Sequence, residues 1–183
     1  MARIWLGLVT AIAFVASAQA QTGVRAEMFD PGIYEHEVER TVEAPDEPAG
    51  KHSLVRNPKL IEPTTCIPAK RGSRFGVRYR ITADHANLFV NVRTVMRYPE
   101  PGLRDPKTNR LHEKTENTQL NITGAESYTG YSFDEDWEAM PGTWTIEIWH
   151  NETLMASQKF EVGPCFRGAG RQEEHPWRAS GLG

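Results

Sequence analysis

Hydrophobic and polar positions alternate with a period of two over much of the chain. The clearest run is Arg74 to Thr82, where Phe75, Val77, Tyr79 and Ile81 point one way and Arg74, Arg78, Arg80 and Thr82 the other. Side chains of an extended strand project alternately, so this pattern predicts a strand with one buried face. Ile33 to Val42 sets Tyr34, Val38 and Val42 against Glu35, Glu37 and Glu39, and Thr143 to Trp149 sets Trp144, Ile146 and Ile148 against Thr145, Glu147 and Trp149. Further strands are expected over Ser53 to Arg56, Leu60 to Ile67 with an interruption at Pro63, Leu88 to Met96, Gln119 to Thr123 and Ser127 to Phe133. Leu154, Ala156, Phe160 and Val162 mark a last one.

Turn chemistry separates these runs. Asp30-Pro31-Gly32 closes a polar lead-in over 21–32, residues 43–51 hold two Pro and a Gly, and Lys70-Arg71-Gly72, Asp84 to Asn87, Met140-Pro141-Gly142 and Asn151-Glu152 are further turn signals. Residues 98–118 are expected to form one long loop, a length associated with function or mobility. No amphipathic helix is evident. About seven to nine short strands with regular turns predict an all-β fold, an antiparallel β-sandwich of immunoglobulin-like architecture over 33–163, with a small barrel as the alternative.

Composition narrows the class. The chain has 183 residues, 39% hydrophobic and 25% charged, enough to bury one core without metals or many disulfides. A mean hydropathy of -0.54 excludes a polytopic membrane protein. Net charge is -3, so the basic excess of a nucleic-acid binder is absent. Met1-Ala2-Arg3, the apolar Ile4 to Val15 and the small residues Ala18-Gln19-Ala20 form a signal-peptide pattern over 1–20, with cleavage expected after Ala20. The apolar run is short for a bilayer span, so no stable membrane anchor is expected after cleavage. A periplasmic or secreted location follows. The Gly-rich segment 164–183 is expected to be a flexible tail.

The stretch from Trp137 through Pro141-Gly142, Trp144 and Glu147 to Trp149, followed by Leu154, Ala156, Phe160 and Val162, resembles a bacterial family of unknown function. Its members end in a Trp-Glu-x-x-Pro-Gly-x-Trp-x-x-Glu-x-Trp hairpin closed by Leu-Ala-x-x-x-Phe-x-Val. Ile67 to Gly76 and Tyr98 to Leu103 with Pro106 are similar to its other signatures. The resemblance implies a small exported protein and supplies no catalytic residue.

Cys66 and Cys165 are the chain's two cysteines. In an exported chain an even count predicts a disulfide, here tying the end of the last strand to an early one. The six His lack metal-ligand spacing, so no metal is expected. Asp134-Glu135-Asp136 with Glu138 is expected to be a solvated acidic turn. No nucleophile elbow, phosphate loop or dinucleotide fingerprint occurs, and no cofactor is expected. Trp144 is expected in the core, while Trp149 suits either packing or ligand stacking.

The remaining candidate is basic. Arg74, Arg78 and Arg80 share one strand face, Lys70 and Arg71 precede them, and Arg93 and Arg97 lie on the next strand. Should those strands pair, Arg78, Arg80 and Arg93 with Trp149 form a surface able to grip anions; should Glu35, Glu37 and Glu39 lie alongside, they neutralise it. The leading expectation is a non-enzymatic interaction or accessory module, with a protein partner, working through the 98–118 loop, the Arg face or a free sheet edge. A small-ligand or anion-binding protein is the alternative, and a hydrolase with an unrecognised site a weaker third.

Overall fold

The computed structural model describes residues 23–165. Both the signal-peptide pattern and the C-terminal segment from 166 onward lie outside the described residues. The described chain forms eleven strands: β1 (Arg25–Glu43), β2 (Lys51–Pro63), β3 (Cys66–Pro68), β4 (Arg74–Thr82), β5 (Phe89–Arg97), β6 (Leu103–Arg104), β7 (Leu111–His112), β8 (Lys114–Ile122), β9 (Glu126–Ser132), β10 (Gly142–His150) and β11 (Thr153–Gly163). One sheet has the order β2-β1-β4-β9, and a second has the order β3-β11-β10-β5-β8. Pairing is antiparallel except for β3, which runs parallel to β11. The architecture is an immunoglobulin-like sandwich.

Alternation explains the core. Phe75, Val77, Tyr79 and Ile81 of β4 are buried, as are Val90 and Val92 of β5 and Trp144, Ile146 and Ile148 of β10. Trp144 is fully enclosed, with the rings of Tyr98, Tyr131 and Phe133 at 5.0, 5.0 and 5.3 Å and Phe75 at 5.7 Å in edge-on contact. Its indole N–H donates to the Met140 carbonyl at 3.0 Å, which satisfies the one polar atom of a large apolar side chain.

Three expectations change. The polar segment before residue 33 is not a lead-in: β1 begins at Arg25 and pairs with β4 from Arg25↔Thr82 to Ile33↔Phe75. The Asp30-Pro31-Gly32 signal marks a register shift inside that strand, with Asp30 at φ 54, so it bulges the chain instead of reversing it. The strands expected at Ser53 to Arg56 and Leu60 to Ile67 are one strand, β2, followed by the separate β3. The long 98–118 loop is also absent. Its first part holds the small β6-β7 ladder, and Lys114 onward is β8, paired residue by residue with β5.

Past Ile33, β1 pairs only with β2, and the two run on as a hairpin arm to Glu43↔Lys51. The arm's tip reaches the opposite sheet. Arg110 donates to the Pro45 carbonyl and to Asp46 at 3.2 and 3.1 Å, and Asn117 of β8 donates to Glu47 at 3.1 Å. Lys51 pairs with Asp134 at 3.2 Å. The arm therefore bridges the sandwich where β8 and β9 form its open side.

Candidate functional site

The arginines do not form one surface. β4 and β5 belong to different sheets, so Arg78 and Arg80 are separated from Arg93 and Trp149. Each group is also matched to carboxylates. Arg78 and Arg80 pair with Glu126 of β9 at 3.3 and 2.6 Å, Arg93 with Glu116 at 3.3 Å and Glu152 at 3.6 Å, and Arg97 with Glu147 at 2.7 Å. Arg78 further donates to the Pro58 carbonyl at 2.8 Å, and Arg80 lies over the Phe29 ring at 5.3 Å. The neutralising acid is Glu126, not Glu35, Glu37 or Glu39. The reason is register: those three lie beyond the end of the β1-β4 ladder, and Glu37 instead meets Arg56 of β2.

Trp149 packs on the outside of the second sheet. Its N–H donates to Glu147 at 2.8 Å, and the Arg93 guanidinium lies 5.4 Å from its ring centre. Cys66 and Cys165 are joined, with their Cα atoms 5.6 Å apart.

Among the described residues, two places open to ligands or partners stand out. The first is the outer face of the second sheet near β8. Phe89 stands directly opposite Ile122, and Leu120 lies on the same face opposite Asn91. Phe89 is 69% exposed, Leu120 61% and Ile122 41%. Val90 and Val92, on the other face of β5, fill the core, so Phe89 must point outward. Among the described residues β8 has no strand on its far side. Glu47 touches it at Asn117, the Asn121 side-chain amide donates to the Gln119 carbonyl at 3.4 Å and the Ala125 N–H to that of Ile122 at 3.1 Å; the remaining backbone from Thr118 to Asn121 is the open part of the edge.

The second place is a cavity of about 280 Å³ beneath the hairpin arm, walled by the arm, β8 and β9. Its lining is mostly polar and partly titratable. His52 Nδ1 lies 2.8 Å from Glu47 Oε1, and this hydrogen bond raises the His52 pKa against the opposing effect of burial. Burial, aided by the nearby Arg74 charge, lowers that of His36. His36 Nδ1 is buried and has no hydrogen-bond partner among the described residues.

Asp134, Glu135 and Asp136 are exposed, as expected of a solvated acidic turn, and Glu138 alone departs from it. It ends a short 3-10 helix, Asp136–Glu138, and is 1% exposed. Its carboxylate accepts from the Tyr131 hydroxyl at 3.0 Å and from the Glu135 backbone N–H at 2.7 Å. Burial nevertheless raises its pKa. The same side of the sandwich holds further internal hydrogen bonds: Tyr98 to Thr115, and Tyr79 to Asn121 and Gln119. These inward polar residues of β8 carry no apolar alternation, and sequence reasoning found only the end of the strand, from Gln119, and missed its first half and the cavity it lines.

Residues 24–162 match the model of a family described as a domain of unknown function, DUF3859. No curated protein matches the chain. Among solved structures, the crystal structure of an immunoglobulin-like protein from Pseudomonas aeruginosa is similar, with a TM-score of 0.54 and 24% sequence identity. The match covers 79% of this chain and 99% of that one.

Proposed function

The chain belongs to the DUF3859 family of domains of unknown function, and on that footing we propose that it is a non-enzymatic binding module that captures an extended polypeptide along β8. The observation that carries this reading is the pairing of an unoccupied strand edge with Phe89, Leu120 and Ile122 on the adjoining outer face. Folded domains ordinarily protect such edges with Pro, bulges or inward charge. β8 has no Pro or Gly, and its charged residues, Lys114 and Glu116, stand at the other end. An added strand gains main-chain hydrogen bonds from the edge and specificity from every second side chain. The partner segment is therefore uncharged and carries apolar side chains at alternate positions to lie beside Leu120 and Ile122.

The disulfide supports an oxidising compartment, since such bonds persist outside the cytosol, and with the N-terminal pattern it favours a periplasmic or secreted location. Anion capture by Arg78, Arg80 and Arg93 is the weaker reading, because Glu126 and Glu116 already hold those guanidinium groups.

The test places a photo-crosslinking residue at Thr118 of the full chain in its own host, with mass spectrometry to identify what it captures. The expected result is one polypeptide crosslinked through an apolar, extended segment and lost on Leu120→Lys. A chain that captures nothing overturns the proposal, and so does a capture indifferent to Leu120→Lys.

A further inference from the structure

The chemistry of the cavity under the hairpin arm is specific. Among its charged lining groups, Lys51 is paired with Asp134 and His52 with Glu47. Arg74 is not. Its guanidinium makes no ion pair among the described residues and only a long contact, 3.5 Å, to the His36 carbonyl. Beside it stands the buried, unpartnered Nδ1 of His36. A guanidinium with vacant donors next to a neutral imidazole is suited to a carboxylate. The carboxylates of Glu47, Asp134 and Glu138 also line the cavity, so a monoanion is favoured over a dianion such as phosphate.

The other walls differ. Asn117 and Gln119 spend their amide N–H groups on Glu47 and on the Tyr79 hydroxyl. Their side-chain carbonyl oxygens accept no hydrogen bond among the described residues and suit hydroxyl donors. The rings of Tyr128 and Tyr131 add apolar wall. A volume of about 280 Å³ lies at the small end of ligand pockets, which run from about 300 Å³ upward. One sugar ring suits that space, and a peptide does not.

We propose that this cavity binds a hexuronate, a single-ring sugar acid, with its carboxylate on Arg74 and His36 and its hydroxyls on Asn117 and Gln119. The site shares β8 with the strand edge through Asn117 and Gln119, but it uses their side chains and not the strand backbone, so either proposal stands if the other fails.

Calorimetric titration of the purified chain with glucuronate, with glucose as the uncharged counterpart, tests it. Saturable one-to-one binding of glucuronate is expected, with glucose weaker by about tenfold or more, the loss expected for a charge-assisted pair. Arg74→Gln should weaken glucuronate by a similar factor and leave glucose unchanged. Leu120→Lys should leave glucuronate binding intact. Wild-type protein with no saturable glucuronate binding overturns the proposal whatever the variants do, as does equal affinity for glucose. Nuclear magnetic resonance shifts on the wild-type chain give a second measure free of any folding defect. They should concentrate on His36, Arg74, Asn117 and Gln119, and shifts centred elsewhere overturn the site.

Discussion

Gly76 and Gly130 face each other across β4 and β9, and the hydroxyl end of Tyr128 occupies the space their missing side chains leave. A Cβ at Gly130 would collide with the Tyr128 hydroxyl and with the Phe75 carbonyl oxygen, and one at Gly76 with the Thr129 carbonyl oxygen and the same hydroxyl. Tyr34 of β1 then packs at a tilt against Tyr128 with ring centres 4.8 Å apart. The glycine pair thus seats the aromatic contact on which the base of the hairpin arm rests.

Gly130→Ala should accordingly destabilise the protein by about 1–3 kcal/mol, the usual cost of forcing a methyl group into a filled site. Urea unfolding followed by tryptophan fluorescence measures it. Pairing it with Tyr128→Phe, which removes the oxygen nearest the new methyl group, should recover part of the loss.

Trp144→Ala should cost about 3–5 kcal/mol, as removal of a large buried aromatic side chain does. Four rings lose their shared neighbour. Trp144→Phe should cost less while leaving the Met140 carbonyl without its indole donor. Thermal unfolding of the two variants should rank them in that order.

Cys66 and Cys165 are separated by 99 positions. Closing so long a loop restricts the unfolded chain, and loss of a native disulfide costs about 2–5 kcal/mol. Cys66→Ala with Cys165→Ala should therefore lower the urea midpoint. A reducing agent should lower that of the wild-type chain to the same level and leave the double variant unchanged.

The His52-Glu47 contact sets a pH dependence with a definite sign. The hydrogen bond raises the folded pKa of His52 above its ordinary value near 6.5. Its contribution is complete below the unfolded pKa and disappears as pH rises through the folded one. Glu47→Gln should bring the His52 titration, followed by resonance of its ring protons, back toward the ordinary value. It should also remove the part of arm stability that fades as pH rises through the folded pKa of His52.

Strict alternation made β4 legible to its end residues, because every second side chain is apolar and the intervening ones are Arg, Gly or Thr. The part of β8 before Gln119 was hidden for the opposite reason. The strand's inward positions are Thr115, Asn117, Gln119 and Asn121, and the surroundings that make them tolerable, the hydroxyls of Tyr98 and Tyr79, come from distant strands. Asp30-Pro31-Gly32 carries the residues of a turn, but the ladders to β4 on both sides of it and to β2 beyond it keep the strand on course and reduce the signal to a bulge. Spacing placed Arg78, Arg80 and Arg93 on strand faces correctly and was silent on sheet membership, which the nonlocal order of strands decides. For Glu138, the acid-rich neighbourhood suggested water, whereas the 3-10 turn folds that one carboxylate inward onto Tyr131.

The disulfide also divides the chain in a way that the sheets do not. It closes a covalent ring from residue 66 to residue 165, and that ring contains every strand from β3 to β11. β1 and β2 lie wholly outside it, although hydrogen bonding makes β1 an inner strand of its sheet. The two strands are held by noncovalent contacts alone and are free to peel away together while the ring stays closed. Hydrogen exchange should accordingly resolve two levels of protection, with the arm from Glu35 to Asn57 opening at lower cost than the enclosed strands. Release of that arm would uncover both the outer face of β9 and the cavity, without breaking the bond that keeps the rest of the sandwich together.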